Sequence, residues 1–156
     1  MRVTSKSYKD TLKLGRIIAG RIKPADIICL FGQLGAGKTV LVKGIAEGLG
    51  IKRGEVVSPS FILMRLHKKG KIPLYHFDLY RLNNAQDILG LGYEEYLYGN
   101  GVAVIEWADR LKYLLPKEFI KVELYIKAER QRALKFSAFG RRYSAVLENI
   151  YEDIRH

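Results

Sequence analysis

A single cysteine, three histidines and a single tryptophan stand among 156 residues, and these scarcities remove several chemistries at once. Cys29 lies inside the apolar run "IICLF", so no disulfide can form within the chain and a buried, inert thiol suited to a reducing compartment is expected. His67, His76 and His156 are widely spaced and lack cysteine partners, so the ligand spacing of a zinc site is absent and any metal must be held by oxygen. No window approaches the roughly 18 apolar residues of a membrane-spanning helix. The opening "MRVTSKSYKD" is polar and charged, with no apolar stretch behind it. A soluble, unexported, cytoplasmic protein without a membrane partner is the expectation. Low-complexity tracts and internal repeats are also missing, as is the N-K-x-D signature by which GTPases read guanine.

Apolar residues supply 48% of the chain and charged residues 28%, the balance of a globular protein, and the length suits one domain over residues 1–156. Twenty-seven basic residues against sixteen acidic ones leave a formal charge of +11, a bias toward anionic partners: nucleotides, nucleic acid or an acidic protein surface. Many of these charges fall on polar faces, as in "IKVELYIKAERQRALKF", where a solvated strand face accounts for them, and no recognised nucleic-acid motif accompanies them.

Periodicity sets out the elements. Leu12, Leu14, Ile17, Ile18 and Ile22 predict an amphipathic helix over 7–22. "DIICLF" is a continuous apolar run, the mark of a parallel strand covered on both faces. "KTVLVKGIAEGLG" places Leu41, Ile45 and Leu49 on one helical face and stops at Gly48 and Gly50. "SFILMRLHKKGKIPLYHFDLY" reads as a hairpin around "HKKGK", and "GNGVAVIEW" as a second buried strand. "IKVELYIK" and "RALKFSAF" alternate at period two as a hairpin with one wet face, and "RRYSAVLENIYEDI" closes with a helix bearing Val146, Ile150 and Ile154. The predicted fold class is α/β: a P-loop NTPase-like mixed sheet of parallel core strands and antiparallel hairpins, flanked by helices.

Between the first strand and its helix, Gly32, Gly37, Lys38 and Thr39 complete the pattern G-x-x-x-x-G-K-[ST] in "GQLGAGKT". A backbone that wraps a triphosphate must turn through conformations open to glycine, with its N–H groups pointing inward and continuous with the positive end of the helix. Gly32, Gln33, Leu34, Gly35, Ala36, Gly37, Lys38, Thr39 and Val40 are thus candidate nucleotide contacts, with Lys38 between the β- and γ-phosphates and the Thr39 hydroxyl toward Mg²⁺. The motif establishes nucleotide binding and says nothing of the reaction.

Phosphoryl transfer also needs an acid near the loop, to anchor the metal or orient the attacking water. Glu106 closes "GVAVIEW" where a metal-anchoring acid belongs, and Asp78 ends the apolar segment of "LYHFDLYRL", where it could equally cap a neighbouring helix. Ser58 and Ser60 in "VVSPSF" occupy the place of a switch segment, or simply punctuate a loop. A small-molecule phosphotransferase, with Arg141 and Arg142 in a lid, stays open at this point. So does a nucleotide-gated protein or RNA binding module with little catalysis.

"GQLGAGKT", "SPSF", "HFDLYRL", "LGL" and "VIEW", in this order and spacing, resemble the bacterial TsaE family, the ATPase of tRNA threonylcarbamoyladenosine biosynthesis, over nearly the whole chain. The resemblance implies a slow Mg²⁺-dependent ATPase that supports a transferase complex of TsaD- and TsaB-like proteins, with tRNA as an indirect partner and ATP and Mg²⁺ as substrate and cofactor. It further implies Thr39 and Glu106 as metal ligands, Lys38 as phosphate clamp, Asp78 as a catalytic acid, and Trp107 and Arg130 near the nucleotide. Three positions depart from the family pattern. Gln33 stands where an acid is usual, Val40 where a second threonine is common, and Ser60 where threonine is commoner.

Overall fold

The computed structural model describes residues 1–52, 54–56 and 63–156. The chain begins with β1 (Arg2–Ser5), and Ser7 then caps α1 (Tyr8–Ala19): its side chain accepts from the Asp10 amide at 3.1 Å, satisfying one of the donors a helix start leaves over. β2 (Ile27–Phe31) leads through the glycine loop into α2 (Lys38–Gly48). The predicted hairpin appears as β3 (Met64–His67) and β4 (Leu74–Asp78), followed by a 3-10 segment (Ala85–Leu91) and the short α3 (Tyr93–Leu97). β5 (Val102–Glu106), a second 3-10 segment (Ala108–Leu114), the hairpin β6 (Phe119–Ile126) and β7 (Arg132–Phe139), and α4 (Arg141–Arg155) complete the order.

One seven-stranded sheet collects all of the strands, in the order β1-β7-β6-β2-β5-β4-β3. Its middle is parallel: β2 lies between β6 and β5, and β4 follows β5. Its margins are antiparallel, β7 on β6, β1 on β7 and β3 on β4. The mixed sheet expected from the sequence is therefore present, with one addition. β1 carries a single apolar residue, Val3, too weak a signal for a strand; pairing with β7 creates it.

The apolar run of β2 is explained by alternation. Ile28 and Leu30 face a core layer built with Leu41 and Ile45 of α2, Leu49 just past its end and Ile150 of α4, while Ile27 and Cys29 face a second layer with Phe77, Leu97 and Leu111. Both faces of a central parallel strand are covered, so neither can be polar. The Cys29 thiol is wholly buried and its pKa is pushed up by that burial, leaving it the inert residue anticipated. β6 and β7 keep one wet face as predicted, with Val122, Leu124, Leu134 and Phe136 inward and Tyr125 exposed.

α1 and α2 approach unusually closely, because glycines face one another. A methyl group on Gly15 would lie 2.6 Å from the Leu41 carbonyl oxygen and the Ile45 amide nitrogen, and one on Gly44 would run into the Leu12 carbonyl oxygen. α4 is anchored by Tyr143, whose hydroxyl accepts from the Ile27 amide at 3.0 Å, and by Arg142, which pairs with the buried Asp26. That pair sits at the start of β2, the end opposite the glycine loop, so Arg142 is committed away from any lid over a nucleotide. Among the described residues, no helix is long and apolar enough to cross a membrane.

Candidate functional site

Three parallel strands end side by side at one edge of the sheet. β2 runs out into the glycine loop, and in the register of β4 against β5, Asp78 lies opposite Glu106. The crevice beyond the carboxyl ends of parallel strands is where α/β sheets bind ligands, since the loops diverge there and helix N-termini point in. Gly35 (φ 81°) and Gly37 (φ 100°) take left-handed backbone within the loop, and Gly37 directly precedes the first residue of α2. A side chain at either position would strain the turn.

Lys38, only 4% exposed, turns its ammonium into the loop, donating to the carbonyl oxygens of Gly32 and, at 2.9 Å, of Gln33. The same nitrogen lies 4.1 Å from the centre of the Trp107 ring. Burial lowers the Lys38 pKa, and the carboxylates of Glu106, Asp78 and Asp109 act against that lowering.

Thr39 donates its hydroxyl to Glu106 Oε1 at 2.7 Å, joining the first turn of α2 to the end of β5. The other oxygen of that carboxylate, Oε2, is bonded to Nε2 of His76. Asp78, also buried, accepts the Tyr80 amide at 3.0 Å. Trp107 adopts a left-handed conformation (φ 57°) immediately after Glu106, which turns its ring over Lys38 and brings it 5.0 Å from the ring of Tyr80. Strain of this kind persists where surrounding contacts hold it.

Lys38, Thr39, Asp78, Tyr80, Glu106 and Trp107 line an open cavity of about 360 Å³ together with Leu34, Gly35, Gly37 and Val40. A second hollow of about 460 Å³ shares Gly35, Gly37 and Val40 with it, and is otherwise lined by Ser7, Tyr8, Thr11, Arg130 and Arg132 among others. The loop is the partition between them. Arg132 donates to the Gly35 carbonyl oxygen at 3.2 Å, so the β6–β7 hairpin supports the loop from outside.

The residue types at the cleft suit Mg²⁺. A hydroxyl and a carboxylate already in contact, with a second carboxylate alongside, form a hard oxygen donor set. Among the described residues, no group of three or more His, Cys, Asp or Glu side chains gathers as a metal cage. One or two protein oxygens are what Mg²⁺ ordinarily takes when phosphates and water complete its shell.

The structure thus gathers Leu34, Gly35, Gly37, Lys38, Thr39, Val40, Asp78, Glu106 and Trp107 around one cavity, ties Gly32 and Gln33 to it through their carbonyl contacts with Lys38, leaves Ala36 fully buried and outside the lining, and places Arg130 in the adjoining hollow rather than beside Lys38. Ser58 and Ser60 lie outside the described residues. His76 and Tyr80 escaped the sequence reading, although period two offered a signal: His76 shares a strand face with Asp78. Ser7, Tyr8, Thr11 and Arg132 could not be found that way, being brought to the loop only by the packing of α1 and the turn of the β6–β7 hairpin.

Comparison with known proteins points one way. The chain is 39% identical over 142 residues to the tRNA threonylcarbamoyladenosine biosynthesis protein TsaE of Bacillus subtilis (strain 168), covering 91% of this chain and 88% of that protein. The protein of the same name from Treponema pallidum (strain Nichols) is 39% identical over 134 residues, covering 86% and 98%. The crystal structure of Bacillus subtilis YdiB superposes with a TM-score of 0.86 at 33% identity, covering 98% of this chain and 95% of that one. The family model described as threonylcarbamoyl adenosine biosynthesis protein TsaE matches residues 5–134, and the chain belongs to that family.

Proposed function

We propose that this chain is a cytoplasmic, Mg²⁺-dependent ATPase, one P-loop domain over residues 1–156, that supports threonylcarbamoyladenosine modification of tRNA together with TsaD- and TsaB-like proteins. The observation that carries the reading is the contact between Thr39 and Glu106 at the mouth of the glycine loop, which couples the motif's hydroxyl to a buried acid from another strand.

In this reading the triphosphate occupies the 360 Å³ cavity and the nucleoside extends over the loop into the hollow bearing Ser7, Tyr8 and Arg130. Loop N–H groups and the start of α2 receive the phosphates. Lys38 exchanges its two carbonyl partners for phosphate oxygens, an exchange favoured because a charge-assisted bond to an anion replaces bonds to neutral acceptors. Mg²⁺, held by Thr39 and Glu106, would supply charge neutralisation at the β- and γ-phosphates. Asp78 faces the same cavity and is the group to orient the attacking water. Trp107 and Tyr80 form the wall that keeps other water out. Gln33 leaves the loop without a carboxylate while its backbone donor is unaffected, and Val40 offers the α-phosphate only its N–H.

The test is phosphate release from radiolabelled ATP, alone and with the partner proteins and tRNA, read alongside threonylcarbamoyladenosine formed. Glu106→Gln should lower turnover by about two orders of magnitude while leaving ATP affinity at saturating Mg²⁺ near wild type. Wild-type turnover in Glu106→Gln would refute the reading, and label appearing on an acceptor instead of as free phosphate would make the chain a phosphotransferase.

A further inference from the structure

We infer that His76 is a positioning residue for Glu106: it donates Nε2–H to Oε2, and so turns Oε1 toward Thr39 and the metal-bearing side of the cleft. The inference rests on the proposed role of Glu106 as a Mg²⁺ anchor. His76 is fully buried in the middle of β4 and Glu106 is 2% exposed at the end of β5. In the β4–β5 register His76 lies opposite Val104, one step inward on the strand face that carries Glu106 and Asp78. A buried carboxylate requires donors on both oxygens, and Glu106 has them from two separate elements: the Thr39 hydroxyl on Oε1 and the His76 ring on Oε2.

The two donors are not equivalent. Thr39 sits on the first turn of α2 and lines the cavity that the triphosphate would fill, whereas His76 is fixed in the sheet and is not among the described residues that line that cavity. Among the described residues, His76 is the donor that can hold the carboxylate's orientation independently of the loop. An ionised carboxylate solely accepts, so the ring must carry its hydrogen on Nε2. The other ring nitrogen, Nδ1, is buried with no hydrogen-bond partner among the described residues. A lone pair left unmatched there costs less than an orphaned N–H would, and the ring is therefore committed to a single tautomer facing Glu106. A residue that merely filled space would be better apolar at this site.

Trp107, the sole tryptophan, lies over Lys38 and reports on the cavity by its fluorescence. ADP is titrated into the full chain in EDTA and then at increasing Mg²⁺, and the Mg²⁺ midpoint for the gain in nucleotide affinity is read. His76→Asn, whose amide is too short to reach the place of Nε2, should raise that midpoint about 10- to 100-fold with metal-free ADP affinity unchanged. His76→Gln, whose amide reaches it, should restore the midpoint, and in a Glu106→Gln background His76→Asn should add nothing. An unchanged midpoint in His76→Asn, or a parallel loss of metal-free affinity, overturns the inference. Long-range ¹H–¹⁵N spectra of the wild-type chain supply a test without mutation: the Nε2–H tautomer is expected, and Nδ1–H would overturn it. A wild-type chain whose ADP affinity ignores Mg²⁺ would instead overturn the proposed function.

Discussion

Lys38 carries a conflict between function and folding at a single residue. Its ammonium is buried and its pKa lowered by that burial, so the charged form is less favoured in the folded chain than in the unfolded one. Lys38→Met keeps most of the volume and removes the desolvated charge. It should abolish ATP binding while raising the urea midpoint, the trade expected of an active-site group; a variant that both binds ATP and unfolds earlier contradicts this. Asp26, at the far end of β2, offers a pH test. Burial raises its pKa, outweighing the Lys23 amide and the Arg142 guanidinium. The folded state then holds the proton more readily than the unfolded chain, so the associated stability is fully present below the unfolded pKa and is lost as pH rises through the folded one. Relative to Asp26→Asn, the wild type should gain stability as pH falls from about 7 to about 4, followed by urea unfolding at each pH; a constant difference would refute the assignment.

At the scale of elements, the decisive contact is α1 against α2. α2 begins at Lys38, so anything that displaces the helix displaces the loop attached to it. Gly44→Ala would drive a methyl into the Leu12 carbonyl of α1, and backbone cannot swing aside as a side chain can. The cost should be about 1–3 kcal/mol by urea unfolding, accompanied by weaker ADP binding. Unaltered stability would mean that the helices have room to part. The β6–β7 hairpin plays a similar part from the other side, since Arg132 reaches the Gly35 carbonyl oxygen.

Across the whole molecule, the sheet joins distant parts of the chain. β1 seals the edge of β7, with the Phe136 amide donating to the Met1 carbonyl at 2.8 Å, and it delivers Ser7, Tyr8 and Thr11 to the hollow beside the loop. Deleting residues 2–6 should expose β7 as an unpaired edge, lower the melting temperature by about 2–4 °C per kcal/mol lost, and weaken ADP binding. Melting and binding that match the full chain would show β1 to be dispensable.

Much of this was legible in the residue order. The loop from Gly32 to Thr39, the strand before it, the helix after it, and Glu106 and Asp78 at strand ends are local patterns: periodicity, glycine placement and an acid closing an apolar run all act over a few residues. Gly37 at the start of α2 and Glu106 at the end of β5 stand where those patterns put them. What only the tertiary structure decided is which patterns meet. β1 has too few apolar residues to declare itself and exists because β7 pairs with it. Arg142 looked free for a lid until packing set it on Asp26. His76 read as a stray histidine and proved to be the partner of Glu106, thirty positions away, because parallel pairing of β4 and β5 aligns their ends. A sequence specifies its turns and faces locally, whereas long-range register depends on the sum of packing over the whole sheet, which no short stretch contains.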